Sequence, residues 1–186
     1  MSKSLGNVVE PGALVAAYGV DPVRYFLLRE VTFGLDGDFS HTALAHRINS
    51  DLANDFGNLA NRVLTMVERY RDGVTPSPSA ENEETRRVVA AADQAVQEID
   101  AAMQKLAFHR ALGRLWEFLT TLNRYIDSSA PWKLAKEQSP QLDTVLYTCL
   151  EGLRLTALLV SPFMPSKAQQ LWEQLGLGGR IEEQFG

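Results

Sequence analysis

The stretch SHTALAHRINSDLANDFGNLANRVLTMVERYR, residues 40–71, decides the fold. Its apolar residues recur at steps of three and four, which places them on one face of a helix. This stripe consists of Leu44, Ile48, Leu52, Phe56, Leu59, Val63, Met66 and Tyr70. No proline interrupts the stretch, and Ser40 is a suitable N-cap. The spacing predicts one helix of about 48 Å, whose apolar stripe must be buried against other elements.

Further helices are predicted on both sides of this stretch. On the carboxyl side, a polar segment with two prolines, residues 72–84, forms an interior linker. Beyond it, apolar residues at helical spacing predict four more helices, over residues 88–103, 108–122, 142–160 and 168–175. On the amino side, residues 11–18 form a short helix that Gly19 ends. A second helix begins at Asp21-Pro22, because aspartate caps free amides and proline suits the first turn.

These segments together define the fold class. No segment shows the alternation of apolar and polar residues that is typical of a strand. The chain has 186 residues, of which 45% are hydrophobic, enough for one core without a metal or disulfide staple. The sequence therefore predicts an all-α fold, an antiparallel bundle of about five long helices with shorter ones at its ends.

Composition and charge exclude several classes of protein. The single cysteine, Cys149, lies in an apolar helical run and has no metal-ligand spacing with the three histidines. We therefore expect a core thiol, no metal site and a reducing cytoplasm. No secretory signal is evident, and no apolar run reaches the ~20 residues that span a bilayer, so we expect no membrane partner.

The formal net charge of −5 argues against binding of nucleic acid by bulk electrostatics. We therefore expect no DNA partner. An RNA partner would have to be recognised by a few shaped contacts on one face.

Two polar residues on the long helix are candidates for such contacts. Asn58 and Arg62 are four residues apart and lie about 100° from the stripe of Leu59 and Val63, which leaves both near the surface. An amide and a guanidinium offer the donors and the acceptor that can read the edge of an unpaired base. A solvated polar face, or a local hydrogen bond, would have the same spacing.

A second candidate is the tripeptide Ala130-Pro131-Trp132. The proline fixes the entry into a helix, and the tryptophan can present a flat face. An extruded base stacks on such a face with ~1–3 kcal/mol. The same tryptophan could instead cover the core, as we expect for Trp116 and Trp172.

The first seven residues, MSKSLGN, have no periodicity and are predicted to form a loop. Lys3 offers a mobile cation, and the small residues Ser2 and Ser4 let backbone amides approach a phosphate. A frayed terminus would have the same composition.

This loop and the residues after it carry a family resemblance. SKSLGN, residues 2–7, followed by a helix and YGVDPVRYFLL, residues 18–28, resembles the flexible signature loop of class I aminoacyl-tRNA synthetases and its downstream helices. In that family the loop is called KMSKS, and Met1 of this chain corresponds to the methionine of that motif. By this resemblance, Lys3 with Ser2 and Ser4 is the remnant of an ATP-binding loop whose lysine stabilises pyrophosphate during adenylate formation. The nucleotide-binding fold would lie upstream, so we expect no complete catalytic site, no bound cofactor and no adenylate formation in this chain alone.

The anticodon side of the resemblance is more specific. Asn58 and Arg62, taken with the tripeptide that ends in Trp132, resemble the anticodon-reading residues of methionyl-tRNA synthetases, and segments 29–40 and 48–59 are similar to that family as well. The resemblance implies that Trp132 stacks on the first base of a CAU anticodon and that Asn58 and Arg62 contact base edges.

The resemblance also implies a division of the chain. Residues 1–39 would be the remnant of the signature loop with its connecting helices, and residues 40–186 the anticodon-binding helical bundle. The parent enzyme would be a methionine–tRNA ligase, which uses ATP to attach methionine to its tRNA. The expected partners are a methionine-accepting tRNA and the catalytic domain of that parent.

Two alternatives remain open at this point. The chain could be the equivalent helical domain of an isoleucine, valine, leucine or cysteine enzyme, since these share the signature loop. It could also be a helical bundle that docks a protein partner. A free-standing enzyme is not supported, because no nucleophile with a base, carboxylate pair or metal cluster can be assembled from the spacings.

Overall fold

The computed structural model describes residues 9–35, 37, 39–79 and 82–185, and all regular structure within them is helical. These residues form nine α-helices, namely α1 (Pro11–Tyr18), α2 (Val20–Glu30), α3 (His41–Arg47), α4 (Asn58–Arg71), α5 (Glu83–Gln104), α6 (Phe108–Ser129), α7 (Pro131–Lys136), α8 (Gln141–Val160) and α9 (Pro165–Gln174). A π-helix, Ile48–Gly57, connects α3 to α4, and a 3₁₀ helix, Ile181–Phe185, follows α9. The prediction of an all-α fold is confirmed.

The long helices α5 and α6 form an antiparallel hairpin. Near one end, Arg114 Nε lies 3.0 Å from Glu98 Oε2. Near the other end, the hydroxyls of Thr85 and Tyr125 are 2.8 Å apart. The loop between α4 and α5 is shorter than the predicted linker, because Asn82 caps α5 by accepting a hydrogen bond from the backbone N–H of Thr85 at 2.8 Å.

Helix α8 runs antiparallel to α6 through the centre of the core. The backbone of α8 approaches α6 at Gly152, where the side chain of Leu122 fills the space that a Cβ would need. Cys149 lies in the same layer, and burial raises the pKa of its thiol to about 12. Trp116 and Trp172 are also buried, so all three of these side chains are core residues, as predicted.

The helix predicted over residues 40–71 is helical throughout but not uniformly α. Ser40 caps its start, as predicted, by accepting from the backbone N–H of Ala43 at 3.3 Å. The ten residues Ile48–Gly57 wind as a π-helix, and this winding coincides with a buried polar cluster. Within it, the hydroxyl of Tyr25 donates to Asp51 Oδ2 at 2.6 Å. The prediction of a single α-helix is therefore wrong in this segment, because apolar steps of three and four residues indicate a helix but do not distinguish π winding from α winding.

The buried Tyr25–Asp51 pair connects α2 to the π-helix. Burial raises the pKa of the Tyr25 phenol, and the neighbouring Asp51 carboxylate raises it further. Arg47 donates to the same Asp51 oxygen at 3.2 Å, so the carboxylate is satisfied in the interior. A smaller apolar cluster packs beside this pair and joins α1, α2 and α3; its buried members are Leu14, Val23, Phe26 and Leu44.

The sequence predicted that Asp21 caps the start of α2, and this prediction is wrong. Gly19, not Asp21, is the N-cap of α2, which begins at Val20. The Asp21 carboxylate is buried and accepts from the backbone N–H of Lys167 at 2.7 Å, in the first turn of α9. On the next turn of α2, Arg24 donates to the carbonyl of Phe163 at 3.1 Å. The start of α2 thus holds the corner between α8 and α9, across about 140 residues of sequence.

Asp21→Ala is expected to lower the free energy of unfolding by about 1–2 kcal/mol, because a backbone donor of α9 loses its cap in the interior. Asp21→Asn keeps an acceptor oxygen and should lose less. Thermal and urea unfolding of the two variants beside the wild-type chain gives both numbers. Equal stability of Asp21→Ala and the wild type would contradict this role for the carboxylate.

Candidate nucleic-acid interface

The candidate residues on α4 lie outside the core stripe. Asn58 is exposed, and the side chain of Arg62, one turn later, is 39% exposed. Leu59 and Val63, between and beside them, are fully buried. Within the described part of the chain, the side-chain amide of Asn58 has no hydrogen-bond partner. Its donors and its acceptor are therefore available to a ligand.

Arg62 is held by α6 and is not simply solvated. Its Nη2 lies 2.7 Å from Asp127 Oδ1, and its Nη1 donates to Asn123 Oδ1 at 3.5 Å. Both partners belong to the polar side of α6, at positions i and i+4. Neither was singled out by the sequence, where they are two of several polar residues on an amphipathic helix. What the sequence could not indicate was which helix they face.

Trp132 stands at the end of the bundle, just after α6. Helix α6 ends at Ser129, and α7 begins at Pro131. Pro131 is buried, whereas Trp132 is 45% exposed. The predicted helix start is therefore confirmed, and the indole presents surface to solvent while Leu134 and Ala135 of α7 pack against the core.

A single residue makes the turn between α6 and α7. Ala130 adopts the left-handed conformation, with φ 43° and ψ 61°. Its N–H donates to Ile126 O at 3.0 Å, and its carbonyl accepts from Lys133 N at 2.8 Å. A left-handed alanine costs roughly 1–2 kcal/mol, and such strain is found at binding sites more often than elsewhere. The left-handed conformation of Ala130 thus sets the direction in which α7 and Trp132 leave α6. The sequence did not indicate this turn, since alanine is not a typical left-handed residue.

Arg62 and Trp132 flank the same end of α6. Asp127, the ion-pair partner of Arg62, lies in the last turn of α6. Only the end of that turn and Ala130 separate it from α7, where Trp132 is the second residue. We call this end of the bundle, formed by the last turn of α6 together with α7, the tip. Two exposed cations, Lys133 and Lys136, also lie on α7, with the exposed carboxylates of Asp127 and Glu137 on either side of them.

Lys3, Ser2 and Ser4 of the predicted ATP loop lie outside the described residues. Among the residues that are described, no group of three or more His, Cys, Asp or Glu side chains is arranged to hold a metal ion. Within the same described ranges, no helix has the length and apolarity needed to cross a membrane.

Two family models match the chain. The model of class I tRNA synthetases (M) matches residues 1–64. The model of the anticodon-binding domain of tRNA ligases matches residues 85–185, more than half of the chain. The first match ends inside α4, and the second begins near the start of α5. The second half of α4 and the loop after it lie between the two matches.

Individual relatives match almost the whole chain. The methionine–tRNA ligase of Caldanaerobacter subterraneus subsp. tengcongensis is 51% identical over 179 residues, covering 95% of this chain and 28% of the relative. That of Deinococcus radiodurans is 46% identical, covering 96% of this chain and 26% of the relative. The solved structure of Mycobacterium tuberculosis methionyl-tRNA synthetase with methionyl-adenylate superposes with a TM-score of 0.93 at 41% identity, over all of this chain and 38% of that one. The chain therefore spans about a quarter to two fifths of the length of these relatives.

Proposed function

The chain belongs to the family of anticodon-binding domains of tRNA ligases, and we propose that it recognises the CAU anticodon of a methionine-accepting tRNA. The parent would be a methionine–tRNA ligase, a cytoplasmic enzyme that attaches methionine to tRNA with ATP. Support for methionine over isoleucine, valine, leucine or cysteine comes from relatives that are methionine–tRNA ligases at 46–51% identity.

The observation that carries the proposal is the exposed indole of Trp132 at the end of the helix whose last turns also bind Arg62. A flat apolar face at the tip suits an unpaired base, and stacking on it contributes ~1–3 kcal/mol. The unpartnered amide of Asn58 and the guanidinium of Arg62 would read base edges beside it. Aromatic stacking with few charged contacts also suits a chain whose net charge is −5.

The two parts of the chain would have different roles. Residues 1–39 would connect the bundle to the catalytic domain of the parent, and residues 40–186 would form the anticodon-binding bundle. The buried Tyr25–Asp51 pair and the Asp21 cap support a firm connection, because both join α2 to the bundle through the interior. In the parent, Lys3 with Ser2 and Ser4 would contact ATP.

The proposal is tested by titrating the 186-residue chain with an RNA stem-loop that carries CAU and with three others, each altered at one anticodon base. The CAU stem-loop should bind most tightly. Each altered base should weaken binding by about 1–3 kcal/mol, the usual cost of losing a good base-edge contact. Because few phosphates are contacted, the salt dependence should be shallow.

Equal binding of all four stem-loops would contradict anticodon recognition. Tighter binding of an isoleucine, valine, leucine or cysteine anticodon would instead assign the chain to one of those enzymes. Failure to bind any stem-loop at physiological salt would favour the protein-docking alternative.

A further inference from the structure

We propose that Asn123, on α6, is a positioning residue for anticodon recognition. It fixes the guanidinium of Arg62 and ties the turn that precedes Asn58 to α6. This inference rests on the proposed function, since it concerns how the base-reading groups are held. Asn123 itself would not contact the anticodon bases.

The hydrogen bonds of Asn123 determine which way its amide points. Its Nδ2 donates to the carbonyl of Leu119 at 3.3 Å, within α6, and to the carbonyl of Asp55 at 3.5 Å. Both partners are acceptors only, which requires the NH₂ group on that side. The Oδ1 atom is consequently directed to the other side, where it accepts from Arg62 Nη1 at 3.5 Å.

Arg62 needs such a second contact. Its ion pair with Asp127 is on the surface, with the Asp127 side chain 63% exposed, and a pair in that setting restrains a long side chain only weakly. Asn123 is half-buried and anchored by its own hydrogen bonds. Two partners on one helix, one turn apart, restrict the guanidinium plane more than either partner alone, which lowers the entropy lost on binding RNA.

The contact with Asp55 extends this role to the second base-reading residue. Asp55 lies in the π-helix, three residues before Asn58. Its carbonyl is bound by the same amide that faces Arg62. Asn123 therefore bridges the turn that carries Asn58 and the side chain of Arg62, and it sets the two groups relative to the tip of α6. π-Helical segments occur frequently at functional sites, where they place side chains that a regular α-helix would not.

The test compares Asn123→Ala and Asn123→Ser with the wild-type chain in the stem-loop titration. Both variants remove the amide, and the comparison requires only that one of the two variants folds. Affinity for the CAU stem-loop should fall roughly 3- to 10-fold, the expected cost of one or two groups that must be ordered on binding. The loss should fall on discrimination at the same anticodon position that Arg62→Ala affects. In the Arg62→Ala background, Asn123→Ala should cause a clearly smaller loss, because only its effect on the turn before Asn58 remains.

Thr121→Ala is the matched control. It removes a hydroxyl that bonds to Glu117 O within the same helix, on the side of α6 away from Asn123, and it should leave affinity unchanged. The inference is overturned if Asn123→Ala binds like the wild type, or if it loses the same factor with and without Arg62. It is also overturned if Thr121→Ala loses as much. Each of these results requires a wild-type chain that discriminates anticodons, so they are distinct from a failure of the proposed function, in which the wild type itself does not discriminate.

Discussion

Trp132→Ala is expected to weaken binding of the CAU stem-loop by about 1–3 kcal/mol, a factor of roughly 5 to 150, while the melting temperature stays near that of the wild type. The indole is 45% exposed, whereas Pro131 beside it is buried and Leu134 and Ala135 of α7 pack against the core. Truncation therefore removes a stacking face without opening a cavity. Titration and thermal unfolding of the same preparation measure both quantities. Trp132→Phe, which keeps an aromatic ring, should retain most of the affinity.

Trp172→Ala is the contrasting control. Trp172 is 4% exposed, and its Nε1 donates to the carbonyl of Gly178 at 3.2 Å. Its truncation should lower the free energy of unfolding by about 3–5 kcal/mol, the usual cost of a buried aromatic side chain. If Trp132→Ala destabilises the fold to a similar degree, its indole acts as a core residue and the interface proposal loses its main support.

Gly152→Val is expected to lower the free energy of unfolding by about 3 kcal/mol, at the upper end of overpacking costs. A Cβ at position 152 would lie 2.6 Å from Leu122 Cδ2 and 2.8 Å from Leu122 Cδ1. Leu122 is fully buried in the centre of α6 and cannot move aside without displacing its own neighbours. Urea unfolding should show a lower midpoint, and the change should exceed what the helix propensity of valine alone would give.

Gly113→Ala provides the matched comparison within α6. A Cβ at position 113 would meet nothing within 4 Å, and the residue is in the interior of a helix. Alanine there should raise the free energy of unfolding by about 0.5–1 kcal/mol, because glycine is the poorer helix former. Opposite signs for the two glycines would show that the close approach of α8 to α6, and not the residue type, determines the effect. Destabilisation by both would contradict this.

The sequence by itself determined the class of fold and most of its helices. Apolar spacing depends on the 3.6-residue period of the helix, which is a local property, so the stripe through Leu59 and Val63 was found where the structure buries it. The same geometry placed Asn58 and Arg62 near the surface. The short helix after Ala130 was also predicted, because a proline suits a first turn regardless of its neighbours.

Tertiary structure decided which groups meet. Asp21 had the local signature of a helix cap, but its carboxylate binds an amide of α9, to which no sequence pattern points. The π-helix Ile48–Gly57 likewise contains Asp51, whose carboxylate accepts from Tyr25 of α2, a partner that the sequence did not indicate. The ion pair of Arg62 and the bridge through Asn123 join helices more than 60 residues apart.

The physical reason is the same in each case. Periodicity and capping depend on neighbouring residues and determine the secondary structure of each segment. The choice of a hydrogen-bond partner depends instead on how the apolar faces pack and on which polar groups that packing shields from water. The sequence of this chain accordingly determined its helices and the outward faces of its candidate residues. Only the packing of α4, α6 and α7 decided that Arg62 and Trp132 flank one end of α6 and that Asn123 lies beside Arg62.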